Sequence, residues 1–519
     1  MTSIVLMFEV HQPMRLNRTF YKELVRRKRI SKKDMLRMYF DHGLNELVMK
    51  RVASRCYIPA SNIILEQIER FKSGSKRFKV AFSISGVFLE QAKKYAPEVV
   101  DAFKALVDTG CVELVEQTYY HSLASLYGPD REEFVEQILE HKFLMKDLFG
   151  VEPTVAENTE FLYNNAIART LNDLGYKAVF TEGVEWVLGW RRPNYVYKAK
   201  GCDIRVLMRN YRLSDDIGFR FSSKWWDQYP LTADKYAAWL AATPGDVVCL
   251  CMDYETFGEH HPPETGIHEF LRWLPAEVLK YEHLDFCTPS EAVERYPVRG
   301  EIDVFEYATI SWADLERDTS AWLGNPLQEA CYEVVKELGS LVKELNDEEY
   351  LKIWRYLQTS DHFYYMCMKG GGPGDVHSYF SPYGSPVEAF VTFYAVLADF
   401  EARLMQELTK PRAYALKLLR KVPYAKAFRF YYGFARPSPY YARSLDELLK
   451  GIERVPEKSV RFHFDRGDFS KWIREVIGDE VLARRIEKLR AKEPTDVVGE
   501  LKRLVRRRIR ELRKKARRM

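Results

Sequence analysis

Five acidic residues and two histidines stand at or near the ends of apolar, strand-like runs, where they could carry out acid/base chemistry. They are His11, Glu113, Glu116, His121, Glu157, Glu160 and Asp253. Two carboxylates can cleave a glycosidic bond without a metal when one attacks the anomeric carbon and the other protonates the leaving oxygen. Each acid taken alone also fits an exposed loop or a helix cap, so spacing leaves the assignment open.

The segment CMDYETFGEHH, residues 251–261, also leaves open which kind of site it forms. It places Asp253 and Glu255 one residue apart and follows them with His260 and His261. Metal site, acid/base site and solvated turn are all compatible with this order of residues. Zinc ligands come with a third histidine or acid at a defined spacing, so a lone HH pair is weak evidence for a metal. We expect no metal here and place both histidines at the rim of a site.

Seven apolar runs of strand length must position these side chains. They alternate with helical patterns as far as about residue 290 and are IVLMFEV, FKVAFSIS, CVELVEQ, TVAEN, AVFTE, IRVLM and VVCLCMD. Such alternation predicts a parallel sheet, and about seven strands indicate a barrel or near-barrel. Chemistry in such folds is found at the C-terminal ends of the strands. The polar residues should therefore meet in one acid-rich pocket.

The pattern becomes helical after Trp312. Three long helices are predicted, over NPLQEACYEVVKELGSLVKELN, DEEYLKIWRYLQTSDHFYYMCM and SPVEAFVTFYAVLADFEARLMQEL, with the loop KGGGPGD before the third. In the second, Asp361 falls on the apolar stripe of Trp354 and Leu357. A carboxylate on an apolar face needs a partner or a task. It either makes a salt bridge between helical bundle and barrel or closes the pocket.

The chain as a whole predicts an α/β protein: an incomplete (β/α)7 barrel, then an α-helical bundle and a small, mainly helical C-terminal module. We place the barrel at residues 1–300, the bundle, which completes the site, at 301–410, and the module, with a strand-like SVRFHF, at 411–519. The tail from Leu501 to Met519 holds eleven Lys or Arg against one Glu. A solvated terminal helix and a helix that binds nucleic acid or an anionic surface both fit this tail.

Composition narrows the class of protein. With 519 residues, 46% of them hydrophobic, the chain is long enough for a large globular catalytic domain and smaller ones. Its start does not resemble a signal peptide, and no apolar run approaches the roughly 18 residues of a membrane span. The eight cysteines are scattered without CxxC spacing, which predicts buried thiols. We expect a cytoplasmic protein.

Five motifs, in order, resemble the sequence regions of glycoside hydrolase family 57. They are HQP from His11, VELVEQTYYHSLASL from Val112, ENTEFLYNN from Glu157, MDYETFG from Met252 and LQTSDHFYYM from Leu357. The stretch ISWADLERDTSAWLGNPLQ from Ile310 resembles the α-amylase branch of that family. The resemblance covers roughly residues 1–410. It implies the incomplete barrel and the bundle, acting on α-glucans with retention of configuration.

The resemblance also assigns roles. It implies that Glu160 is the nucleophile and Asp253 the acid/base, which leaves Glu157 without a catalytic role. His11, Glu113 and Asp361 match positions that line the sugar site. The sequence departs from the family at His121, where relatives often have an acid, and at Tyr364, where glucanotransferase relatives have Trp. Further substrate-binding candidates are His121, Glu255 and Trp312, and for stacking on glucose rings Trp225, Trp226 and Trp322 join Trp312.

The leading hypothesis is an α-amylase that cleaves α-1,4-glucosidic bonds in an α-glucan or maltooligosaccharide without a cofactor. A 4-α-glucanotransferase or branching enzyme would use the same two carboxylates. A metal-dependent polysaccharide deacetylase and a non-catalytic glucan-binding protein are alternatives of other classes. We expect neither a membrane nor a nucleic acid as partner, and the oligomeric state stays open.

Overall fold

The computed structural model describes residues 1–22, 30–370, 380–408 and 411–517. Most of the KGGGPGD loop lies outside the described residues. The chain forms two compact units: a first unit of residues 1–332 and 355–394, and a second unit of residues 333–354 and 395–519. The three-part division at residues 300 and 410 stays a prediction.

The first unit contains the seven expected strands and three short ones. In chain order they are β1 (Thr2–Val10), β2 (Val80–Ile84), β3 (Val112–Val115), β4 (Val155–Glu157), β5 (Ala178–Glu182), β6 (Tyr197–Ala199), β7 (Arg205–Arg209), β8 (Val247–Asp253), β9 (Leu284–Phe286) and β10 (Glu301–Ile302). Parallel pairs join β1 to β2 and β8, β2 to β3, β4 to β5, and β5 to β7.

The ring of seven strands closes weakly at two places. Strand β7 meets β8 through the single pair Arg209 and Cys249, and β3 meets β4 through a bridge between Glu116 and Ala156 just beyond β3. The expected incomplete (β/α)7 barrel is confirmed. Every residue of β1 is buried, because a strand with core on both faces needs a continuous apolar run.

Helices surround the barrel in the first unit and form most of the second. The helices are Lys32–Tyr39, His42–Val52, Ile58–Arg70, Gly86–Tyr95, Pro97–Asp108, Glu132–Phe149, Asn165–Asp173, Glu185–Leu188, Tyr211–Gly218, Ala233–Ala242, Ile267–Leu279, Pro289–Arg295, Ser320–Leu323, Pro326–Leu345, Glu348–Tyr356, Ser360–Tyr364, Pro386–Leu408, Pro411–Leu419, Leu445–Arg454, Glu457–Arg466, Asp468–Trp472, Glu480–Arg490 and Val497–Arg517. In the second unit β11 (Phe428–Gly433) and β12 (Arg436–Ala442) form an antiparallel hairpin that the sequence did not predict.

Two predictions of secondary structure were wrong, one of a long helix and one of a strand. The long second helix is broken, because Thr359 adopts an extended conformation (φ −54°, ψ 132°) between Glu348–Tyr356 and Ser360–Tyr364. The segment SVRFHF is not a strand and lies in the helix Glu457–Arg466. There Val460, His463 and Phe464 are buried at helical spacing, and so short an apolar run fits either period.

All eight cysteines are unpaired, and all except Cys202 are buried, as expected. In the described part of the chain, no helix combines the length and apolar character needed to cross a membrane.

Candidate active site

One cavity of the first unit brings together seven of the eight predicted site residues. It is lined by His11, His121, Glu160, Asp253, Glu255, Trp312 and Asp361, together with residues the sequence did not single out, such as Glu9 and Arg209. Glu9 and Asp253 are paired near the C-terminal ends of β1 and β8, and His11 directly follows β1. The cavity therefore lies at the end of the barrel where the strand pattern predicted it.

Glu160 sits on a tight turn directly after β4. Both Glu160 (φ 59°) and Phe161 (φ 57°) adopt the left-handed conformation, which is uncommon for residues other than glycine. The buried Glu157 carboxylate accepts a hydrogen bond from the backbone N–H of Phe161 (3.3 Å) and one from the Ser83 hydroxyl (2.8 Å). Glu157 thus supports the turn that presents Glu160 to the cavity. Local strain of this kind is concentrated at functional sites.

Three donors converge on the Glu160 carboxylate. The indole N–H of Trp312 donates to Oε2 at 2.6 Å, and Nε2 of His121 and the hydroxyl of Ser360 lie 3.3 Å from Oε1. The side chain keeps about a fifth of its surface exposed (19%). These contacts fix the position of both carboxylate oxygens at the wall of the cavity.

Asp253 has the opposite environment. None of the described residues donates a hydrogen bond to its carboxyl group, and it does not cap the short helix that follows. Burial, and then the nearby charge of Glu160, raise the pKa of Asp253 to about 7, although His121 and Arg209 act in the other direction. The group can therefore hold a proton near neutral pH, as a general acid must.

The two cavity histidines are stacked, with ring centroids 3.9 Å apart. His11 donates from Nε2 to Asp361 (3.1 Å), and its Nδ1 accepts from Ser85, the N-cap of the helix Gly86–Tyr95 (2.6 Å). Burial lowers the pKa of His11 to about 4. Burial also lowers that of His121, but the hydrogen bond and charge of Glu160, with the charges of Asp361 and Glu157, raise its pKa overall. His121 is therefore the hydrogen-bond partner of Glu160 on this side of the cavity.

His11, His121 and Asp361 are also the described residues whose atoms could hold a metal ion, since one ligand atom of each lies within 4.8 Å of the others. Those atoms already have partners. His11 is bonded to Asp361, and His121 to Glu160. The donor set is satisfied within the protein.

Glu255 and Glu9 add two buried acids to the cavity wall. Burial, and then the charge of Asp253, raise the pKa of Glu255 to about 8, while Tyr57 donates a short hydrogen bond to it. Burial and the charges of Glu157 and Glu160 raise the pKa of Glu9 well above its usual range. Oε1 of Glu9 lies 3.2 Å from Nδ1 of His121. No local pattern singles out Glu9, because it lies inside the apolar run MFEV.

Arg209 is a second residue that the sequence analysis missed. Its guanidinium is buried, donates to Glu182 (2.9 Å) and Asp215 (2.6 Å), and lies 5.5 Å from the Trp312 ring. Its charge lowers the pKa of Asp253 against the effect of burial. A basic residue at the end of the strand run IRVLM was the available signal.

Three other residues that the sequence suggested as part of the site make hydrogen bonds outside the cavity. Glu113 accepts hydrogen bonds from the backbone N–H (2.9 Å) and hydroxyl (2.8 Å) of Ser290, so this geometry does not support a substrate contact. Glu116 is buried against His141 and Tyr176. His261 is held by Ser222 (2.8 Å), whereas His260 lines the cavity as expected.

The four tryptophans predicted to stack on glucose rings lie in different surroundings, and only one of them lines the cavity. Trp312 lines the cavity and stacks on Phe161, with ring centroids 4.6 Å apart. Trp322 is fully buried and its indole N–H has no partner among the described groups, so it does not face the cavity. Trp225 is exposed and Trp226 packs against the barrel core.

Comparisons with known proteins show which family model, sequences and folds resemble this chain. The family described as Glycosyl hydrolase family 57 matches residues 5–305. A Methanocaldococcus jannaschii protein with a provisional α-amylase name is 49% identical over 411 residues, which is 78% of this chain and 85% of that protein. A family 57 branching enzyme from Thermococcus kodakaraensis has a similar fold (TM-score 0.55, 14% identity, 78% of this chain and 90% of that chain). The branching enzyme of Pyrococcus horikoshii is similar at a TM-score of 0.50 and 14% identity, over 80% of this chain and 89% of that one.

Proposed function

The chain belongs to glycosyl hydrolase family 57, and from that premise we propose that it cleaves α-1,4-glucosidic bonds in α-glucans by double displacement. Glu160 is the nucleophile and Asp253 the acid/base. The name of the Methanocaldococcus relative supports the α-amylase activity. The likeness to branching enzymes, at 14% identity, supports the fold alone.

One observation carries the proposal: the two carboxyl groups of one cavity have opposite environments. Glu160 accepts hydrogen bonds from three donors, and Asp253 is desolvated with a raised pKa. Retaining glycosidases need one ionised and one protonated carboxyl group on either side of the scissile bond. When the environments of two such groups push their pKa values apart, the acid and the nucleophile can be assigned from that difference.

In the first step Glu160 attacks the anomeric carbon, and the bond from that carbon to the leaving oxygen breaks. Asp253 gives its proton to the leaving oxygen as a new glycosyl ester forms on Glu160. In the second step Asp253, now ionised, takes a proton from an incoming water, which attacks the same carbon and releases Glu160. Trp312 and His121 keep the Glu160 carboxylate oriented, and Asp361 fixes His11 at the cavity wall.

Product analysis tests this function and separates it from the transferase alternative. We expect incubation with maltooligosaccharides to give shorter chains and a rise in reducing ends equal to the number of bonds cleaved. A 4-α-glucanotransferase or branching enzyme would redistribute chain lengths with a nearly constant number of reducing ends. A constant number of reducing ends would contradict hydrolysis, but it would be compatible with a transferase that uses the same two carboxylates.

We also expect the activity to be independent of a metal. Double displacement by two carboxylates uses no Lewis acid, and the atoms that could ligate a metal already have partners within the protein, His11 with Asp361 and His121 with Glu160. Dialysis against EDTA should leave the rate of reducing-end formation unchanged. A loss that added Zn²⁺ restores would contradict metal-independent double displacement. Metal-dependent release of acetate from an acetylated glucan, without new reducing ends, would favour the deacetylase alternative.

Trp312→Phe should lower kcat by about 10-fold or more, because a hydrogen bond to a charged group contributes roughly 1.5–3 kcal/mol. The substitution removes the N–H that donates to Glu160 and retains an aromatic ring against Phe161. Steady-state rates on maltoheptaose give the measurement. Trp322→Phe is the matched control, since that indole has no hydrogen-bond partner among the described groups. Equal losses in the two variants would show that packing, and not the hydrogen bond, matters.

A further inference from the structure

The hairpin of the second unit has a composition unlike the rest of the chain. Residues 421–443 contain five Lys or Arg and eight aromatic residues, but no Asp, Glu, Asn or Gln. Residues 411–517 carry 30 Lys and Arg against 14 Asp and Glu, whereas residues 1–410 carry 48 against 60. Positive charge is therefore concentrated in one part of the chain, and the hairpin is the stretch where no acid accompanies it.

Of the five cations of residues 421–443, Lys421 pairs with Glu447 (3.3 Å), but three others are not engaged in ion pairs in the described part of the chain. Lys426, Arg429 and Arg436 are exposed and form no salt bridge with an acid in the described ranges. The helix Val497–Arg517 is different. Its Arg506 and Arg513 pair with Glu453 and Asp446 (2.7 and 2.8 Å), and its apolar face lies in the core of the unit. Part of the basic tail that the sequence emphasised is therefore structural, although Arg510, Lys514 and Lys515 are exposed as well. The hairpin differs because its unpaired cations lie in a stretch of sequence without any acid.

Aromatic side chains line the same grooves as Arg429. Two adjoining shallow grooves on the hairpin share Arg429 and Tyr431. Tyr441 contributes to the first groove and is 48% exposed, and Phe434 contributes to the second and is 83% exposed. The acid of the second groove, Asp468, is held by His463 and Arg466.

From this surface we propose that the hairpin binds single-stranded nucleic acid. Proteins that bind single strands without sequence preference combine a positively charged groove, which attracts phosphates, with exposed rings on which bases stack. Here Arg429 lines both grooves, and Lys426 and Arg436 are exposed outside them in the same stretch of chain. The chemistry disfavours a glucan. Sugar hydroxyls both donate and accept hydrogen bonds, whereas the polar side chains of residues 421–443 are cations and hydroxyls without a carboxylate or amide acceptor.

Fluorescence anisotropy with labelled oligo(U) and oligo(dT) of about 15 nucleotides tests the proposal on the full chain. Arg429→Gln combined with Arg436→Gln should weaken binding and reduce the slope of log Kd against log salt by about 1.4, because each lost phosphate contact contributes about 0.7. Phe434→Ala and Tyr441→Ala should each weaken binding by about 5- to 150-fold and leave the slope unchanged, because stacking is not electrostatic.

Matched controls lie away from the hairpin. Arg484→Gln combined with Arg503→Gln removes the same charge from exposed positions (70% and 66%), and Trp190→Ala removes an exposed ring (94%). These controls should retain affinity within about 2-fold, apart from a small salt-dependent change. Every variant should release reducing ends from maltoheptaose at the wild-type rate, and an unchanged circular dichroism spectrum and thermal melt verify folding of the second unit.

Three outcomes would overturn the proposal. They are the absence of binding at about 50 mM salt, binding that the hairpin variants leave unchanged, and retardation in a glycogen-containing gel that depends on Phe434 and Tyr441 while oligonucleotides do not bind. The proposal does not rest on the catalytic assignment, since the assay of reducing ends reports that activity separately.

Discussion

Glu160→Gln should reduce glucan cleavage by about 10³-fold or more without unfolding the protein, because an amide cannot form the glycosyl ester that divides the reaction into two steps. The amide has nearly the shape of the carboxylate, and its single oxygen can still accept from either Trp312 or His121, so the turn at Glu160 should persist. Initial rates of reducing-end formation from maltoheptaose, with a thermal melt, give the measurement.

Glu157→Gln is the matched control, from the same ENTE motif. Glu157 is buried outside the cavity, and an amide oxygen can replace its acceptor for the N–H of Phe161. We expect activity within about 10-fold of wild type, since the loss is confined to support of the turn. Full activity in Glu160→Gln, or a larger loss in Glu157→Gln, would exchange the roles of the two residues.

Asp253→Asn should lower kcat/KM on maltoheptaose by about 10²- to 10⁴-fold, the usual contribution of a general acid. A substrate with an acidic leaving group, such as an aryl maltoside, needs little proton donation. Its first step should therefore be much less affected. Comparison of the two substrates in wild type and variant measures the effect. An equal loss on both substrates would show that Asp253 has a structural role or acts in another step.

The pH dependence follows from the same group. Because the pKa of Asp253 is raised to about 7, the protonated form is lost as pH rises through that value. The rate kcat/KM of the wild type should therefore fall on the alkaline side with a midpoint near pH 7, and Asp253→Asn should lack this decline. A rate that stays constant to pH 9 in the wild type would contradict the assignment of the acid.

The strands and the place of the site were predictable because both depend on local patterns. A strand buried on both faces needs an uninterrupted apolar run, and VVCLCMD shows both the run and the acid at its end. The roles within the site were not predictable from spacing. Glu157 and Glu160 are three residues apart, and only the left-handed turn decides which of them faces the cavity.

The residues and elements whose structural setting differs from the prediction have a physical explanation as well. Glu9 is fully buried in β1, and the charges of acids from other parts of the chain raise its pKa. This is a tertiary effect that no local pattern records. Asp361 was expected to line the site from its position on a helical stripe, but that helix ends at Tyr356. The side chain reaches His11 from the separate helix Ser360–Tyr364 instead. The hairpin was missed because aromatic residues, Pro and Gly alternate there without a clean period of two.

Trapping of the glycosyl-enzyme tests the central claim most directly. Asp253→Asn, incubated with α-maltosyl fluoride, should form the ester without needing an acid and should lack the base that activates water to hydrolyse it. We predict that its intact mass increases by one maltosyl group and that peptide mapping places this group on Glu160. An adduct on Glu157, Glu255 or any other residue, or rapid turnover without an adduct, would contradict the mechanism.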